Sequence, residues 1–161
     1  MSVKRRLIGK IWIGLGLCSL VWTLSAAPGA DDSARQQRKF DYFFYEGLKL
    51  KEAGQYDAAF DVFNHCLAID STDAVVRYEL CMFYMQLNKP EKAIELLKPA
   101  VAHRPDQFEY RMAFASISRS LGMFGEAAEA YRALVKDFPQ KKELNYYLAG
   151  ALTQAGEIEE A

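Results

Sequence analysis

Two histidines and three cysteines are the side chains of this chain best suited to metal or nucleophilic chemistry. A metal site needs three or four nitrogen, sulfur or oxygen ligands that converge. His65 has only Cys66 at its side, and adjacent residues on a helix project about 100° apart, too far to share one ion. His103 stands alone. No G-x-x-x-x-G-K-[ST] or G-x-G-x-x-G run offers backbone amides to a phosphate. The acidic pairs Asp31-Asp32 and Glu159-Glu160 read as solvated faces or helix starts, not as a general acid and base. The sequence thus offers no catalytic residue, no metal ligand set and no cofactor site, and reads as a non-enzyme. Cys66 and Cys81 read as small apolar packing residues. A disulfide between them is the alternative in an oxidising compartment.

Charge narrows the partners. The 161 residues hold 20 basic and 21 acidic side chains. Four of the basic ones, Lys4, Arg5, Arg6 and Lys10, lie in the first ten positions, so the remainder is mildly acidic. Nucleic-acid binding needs a concentrated basic surface, and none is present. The basic start, the apolar run 11–24 and the small residues Ser25-Ala26-Ala27 read as a signal peptide over residues 1–27. The orientation rule then delivers the rest of the chain to the periplasm or cell envelope. Pro28 sits where a signal peptidase tolerates it poorly, so an uncleaved anchor stays open, as does lipidation of Cys18 in Leu15-Gly16-Leu17-Cys18. Membrane contact is expected only through this leader. Residues 28–39 are a polar linker or the solvated lead-in to a first helix.

Beyond the leader the chain repeats. Rows of 34 residues beginning at Phe40, Ala74, Phe108 and Lys142 align without gaps. The eighth column reads Gly47, Cys81, Ala115, Ala149, and the twentieth Ala59, Ala93, Ala127, Ala161. Small residues recurring in this way mark where two antiparallel helices approach closely. The fifteenth column, Gly54, Asn88, Gly122, Gly156, holds residues tolerant of positive φ where a helix must stop. The twenty-fourth, Phe63, Leu97, Tyr131, fills the space between helices, and Pro105 and Pro139 in the thirty-second end the second helix. Asp106 with Glu109 suggests a capping box. Pro90 suits a first helical turn, and Pro99 is expected to bend its helix.

A 34-residue helix–turn–helix period with small residues at columns 8 and 20, a large apolar residue at 24 and proline at 32 resembles the tetratricopeptide repeat. The resemblance spans residues 40–161, as repeats 40–73, 74–107 and 108–141 and a partial repeat 142–161. It implies an all-α fold, a right-handed α-solenoid of antiparallel helix pairs. The leader and first row are similar to exported bacterial members of the family. Departures are visible. Column 4 carries Arg77, Arg111 and Asn145, and the apolar residue moves to column 3 as Tyr42, Val76, Tyr110 and Leu144. Glu46 replaces the apolar residue of column 7 in the first row, which is expected to pack atypically, as end repeats do.

In arrays of this kind the first helix of each repeat lines the concave side. Columns 2, 5, 6, 9, 12 and 13 share that face by helical spacing. The large apolar and aromatic residues there are Phe44, Tyr45, Leu48, Tyr78, Met82, Met85, Met112, Tyr146 and Tyr147. Such residues recur at partner-binding surfaces, so they form the candidate groove, with Tyr78, Met82 and Met112 at its centre. The alternative is that the stripe is partly packed. Family members that grip a C-terminal carboxylate place Lys, Asn, Asn, Lys and Arg where this chain has Phe44, Leu48, Glu79, Glu109 and Ala113. The register one repeat later gives Tyr78, Met82, Ala113, Glu143 and Tyr147, so carboxylate capture is not expected.

The expected function is a non-catalytic scaffold that binds a protein or peptide partner. A second reading makes the chain the N-terminal arm of a longer protein with its own enzymatic or sugar-binding activity, because the fourth row stops at column 20. Self-association through solenoid ends is a third. In the truncated row, Leu144, Leu148 and Leu152 are expected to be half covered, leaving the C-terminal end the weakest part.

Overall fold

A computed structural model describes residues 28–157, and these contain seven helices and no strand. They are α1 (Pro28–Glu52), α2 (Tyr56–Ile69), α3 (Ala74–Gln86), α4 (Pro90–His103), α5 (Phe108–Ser120), α6 (Phe124–Asp137) and α7 (Glu143–Ala155). The pairs α1/α2, α3/α4 and α5/α6 coincide with the 34-residue rows, and each helix packs chiefly on its neighbours in the chain. The array is an all-α solenoid. The signal-peptide reading of residues 1–27 and the final column-20 residue Ala161 lie outside the described residues. Residues 31–39 are the exposed N-terminal part of α1.

Every first helix stops in the same way. Gly54, Asn88, Gly122 and Gly156 all have positive φ, between 54° and 85°. The next N–H then reaches back five residues, Gln55 to Leu50 O at 2.9 Å, Lys89 to Tyr84 O at 2.9 Å, Met123 to Ser118 O at 2.9 Å and Glu157 to Leu152 O at 2.9 Å. This closes a Schellman motif at each turn. Asn is the one residue besides Gly that tolerates the left-handed region routinely, which explains Asn88 in this column.

The interior is built from the repeat columns. Ala59, Ala93 and Ala127 are fully buried, as are Phe63, Leu97 and, nearly so, Tyr131. Column 8 faces column 24: a methyl group on Gly47 would sit 2.9 Å from a ring carbon of Phe63. Ser118 is also fully buried, and its hydroxyl has no hydrogen-bond partner. It sits in a column whose other members, Leu50, Tyr84 and Leu152, are apolar or aromatic.

Column 3 packs on the preceding repeat. Val76, Tyr110 and Leu144 are buried, whereas Tyr42 is 66% exposed. No helix among the described residues covers that side of α1, and Glu46 pairs there with Lys49 at 3.4 Å. A polar outer face of this kind is what a solenoid end requires. The column-4 arginines are loop staples. Arg77 donates from Nε to Ser71 O at 3.0 Å, and Arg111 donates to Pro105 O at 3.4 Å and pairs with Asp137 at 2.7 Å.

Several expectations are corrected. The capping box does not form: the N-cap of α5 is Gln107, and Asp106 lies one residue too early, accepting from Gln107 Nε2 at 3.3 Å. The side-chain cap is on α3, where Asp73 accepts from the Val76 N–H at 2.7 Å. α4 begins at Pro90 as expected and runs on past Pro99 to His103. Leu144 and Leu152 are buried, not half covered, because they face α6 and its neighbours; the exposed side of α7 is the one that carries Tyr146.

Candidate functional site

Cross-links between alternate helices show that the four first helices lie side by side. Lys51 Nζ of α1 is 2.6 Å from Glu79 Oε2 of α3 in a part-buried ion pair. Tyr78 of α3 stacks on Tyr110 of α5, with ring centroids 4.7 Å apart and planes 26° from parallel. Arg119 of α5 lies against Gly150 of α7, where an added methyl would be 3.5 Å from its Nη1. These helices form one continuous face.

The structure divides the nine nominated residues into two sets. Phe44 and Leu48 pack on the first core cluster, and Phe44 stacks on Phe40 at 5.9 Å. Tyr78 and Met85 pack on the second cluster, and Met112 and Tyr147 on the third. Burial pushes the Tyr78 hydroxyl pKa up, helped by the nearby Cys81, Glu79 and Glu109. These six side chains are half-buried and hold repeat to repeat. The remaining three are more available. Tyr45 is 69% exposed and Tyr146 79% exposed, at the two ends of the face. Met82, between them, lines a small cavity with Lys51, Tyr56, Glu79, Phe83 and Gln86.

That cavity continues over the rim into a second one of about 100 Å³, lined by Tyr56, Asp57, Phe60, Phe83, Gln86 and Leu87. Tyr56 and Leu87 are exposed despite their size. Reading only the first-helix columns missed them, because Leu87 caps the end of α3 and Tyr56 opens the second helix α2. The available signal was a large apolar residue beside a column-15 turn, in Leu87-Asn88 and Gln55-Tyr56.

The chemistry-capable side chains have structural duties. His65 packs edge-on against Phe43, with centroids 4.3 Å apart, and His103 Nδ1 lies 3.1 Å from Thr72 O. Cys66 and Cys81 are free thiols buried in different clusters. Burial pushes the Cys66 thiol up to about 11, with the charge of Asp73 adding to it, and Cys81 up to about 12. Neither is a nucleophile at neutral pH. No group of three His, Cys, Asp or Glu side chains converges among the described residues. No helix among them is long and apolar enough to cross a membrane.

Profiles of the tetratricopeptide repeat match residues 50–117 and 119–161. The chain is a tetratricopeptide-repeat protein. Its architecture is that of a protein-interaction scaffold, a role this repeat family typically fills without catalysis. Solved repeat structures share the fold. A structure of MamA AMB-1 superposes with a TM-score of 0.70 at 24% identity, over 76% of this chain and 67% of that one. The first repeat domain of Spaghetti (RPAP3), bound to the HSP90 peptide SRMEEVD, superposes with a TM-score of 0.64 at 20% identity, over 74% of this chain and 94% of that one. Among curated proteins, the Vi polysaccharide export protein VexE of Salmonella typhi is 28% identical over 137 residues, 85% of this chain. The chain spans 21% of that relative's length.

Proposed function

We propose that this tetratricopeptide-repeat protein holds a segment of a partner protein along the face of α1, α3, α5 and α7, in the cell envelope, without catalysing a reaction. The observation that carries the proposal is the accessible set Tyr45, Met82 and Tyr146 on a floor of half-buried rings. The floor is packed against the core clusters and stacked between repeats, so a bound segment meets a preformed surface and little ordering entropy is lost. The neighbour solved with an HSP90 peptide supports peptide capture by this architecture. The envelope setting rests on the leader sequence and on the similarity to an export protein. The small share of that relative's length favours a second reading, an interaction arm within a longer protein.

Site-specific photocrosslinking in the native host tests the groove. A benzophenone side chain at position 82 or 146 should trap one partner, and one at the exposed position 95 on α4 should not. Against the trapped segment, Met82→Ala should weaken affinity by about tenfold or more, as truncating a central anchor does, with an unchanged melting temperature. Equal crosslinking from position 95 would sink the groove assignment. For the envelope setting, N-terminal mass spectrometry of the membrane and periplasmic fractions should find a mature end between residues 26 and 30. An intact start at residue 1 or 2 would instead mean an anchored leader.

A further inference from the structure

The partner-binding face is not electrically neutral. On its six columns stand five acids, Asp41, Glu52, Glu79, Glu109 and Glu143, and two bases, Lys51 and Arg119. Lys51 is already committed to Glu79. Glu52, Glu109 and Glu143 are exposed and Asp41 is half-exposed, which leaves a run of acids from α1 to α7 facing one half-buried arginine. The bias is weaker on the second helices α4 and α6: Glu91, Lys92, Glu95 and Lys98 balance on α4, and Arg132 and Lys136 offset two of the three acids Glu126, Glu129 and Asp137 on α6. The exposed rings point the same way. Tyr45 and Tyr146 are exposed, and they stand four residues after Asp41 and three after Glu143 on their helices; an aromatic face near a carboxylate favours an ammonium or guanidinium group.

From this charge complementarity we propose that the captured segment is cationic as well as apolar, with Lys or Arg side chains interleaved among aliphatic or aromatic anchors. The inference rests on the groove reading and narrows its occupant. The apolar anchors meet Met82 and the cavity beside it, and the cations meet Glu109, Glu143 and the two tyrosine faces. An acidic segment such as the SRMEEVD peptide of the structural neighbour would meet like charge here.

Fluorescence anisotropy on the full chain separates the possibilities. Two labelled twelve-residue peptides of identical leucine and phenylalanine placement are used, one with four lysines and one with four glutamates at the intervening positions. The lysine peptide should bind at least tenfold more tightly in 50 mM salt, with the gap closing in 300 mM salt as screening takes hold. Glu109→Lys with Glu143→Lys should cut that preference at least fivefold, and the milder Glu109→Gln with Glu143→Gln should fall between. Glu91→Lys with Glu95→Lys makes the same change in net charge on α4 and should leave the preference intact. Equal binding of both peptides, still weakened by Met82→Ala, would overturn the cationic occupant and leave the groove standing. A lysine preference lost equally in the α4 variant would also overturn it, as a net-charge effect. If neither peptide binds, both the groove and its occupant fail.

Discussion

Ala93→Leu is expected to lower the melting temperature by roughly 10 °C, by disrupting the middle of the array. Ala93 has no exposed surface and sits where α4 presses on α3, in a cluster with Cys81, Leu97 and Ala100. Three extra carbons have no void to enter, so either the helices separate or their side chains leave their rotamers. Overpacking of this kind costs about 1–3 kcal/mol and sometimes more. In a chain of this size each kcal/mol moves the midpoint by roughly 2–4 °C. The position makes it worse, since a solenoid is held by nearest-neighbour terms and repeat 2 is the link between repeats 1 and 3. Thermal melts followed by circular dichroism measure the effect. A shift below about 2 °C would mean that the column-20 contact is looser than the structure shows.

Phe63→Ala should cost about 4 kcal/mol, within the range for emptying a buried aromatic site. The Phe63 ring has no exposed surface and lies among Phe44, Phe83 and the backbone of Gly47, with centroid separations of 6.2 Å and 6.1 Å to the two rings. Gly47 has no side chain to fall into the gap, so the cavity stays open. Adding Gly47→Ala should then have opposite consequences in the two backgrounds. Alone it forces a methyl to within 2.9 Å of the ring. In Phe63→Ala it fills part of the void and gains about 1 kcal/mol of helix propensity. Urea titrations of the four variants give the coupling, and a simple sum of the single effects would contradict this contact.

The split between packed and accessible residues bears on how groove mutants are read. Tyr78→Ala removes a ring stacked on Tyr110 and packed against the second cluster. Lost binding in that variant therefore cannot be separated from lost order. Met82, Tyr45 and Tyr146 are the cleaner positions, because none belongs to a core cluster. The Lys51–Glu79 pair couples the two roles. It links repeats 1 and 2 and also withdraws one cation from the proposed binding face.

The sequence by itself determined the architecture. A period of 34 residues with small residues in two columns and a left-handed stop in a third marks where helices approach and where they end, and its resemblance to the tetratricopeptide repeat implied the antiparallel solenoid; the four positive-φ residues stand at the positions the period marks. These are local backbone and volume constraints, and each recurs in every row, so single exceptions such as Asn88 do not hide them. Tertiary structure decided what each exposed-looking side chain does. Columns 5 and 9 place Tyr78 and Met82 on the same helical face, yet one stacks across to α5 and the other lines a cavity. Helical spacing reports a direction on one helix, and burial depends on what a neighbouring helix brings opposite. The same holds on α1: Tyr42 shares a column with Val76, but no helix among the described residues packs on its side. Tyr56 and Leu87 lay outside the first-helix columns, and only the packing of the start of α2 against the end of α3 placed them around one cavity.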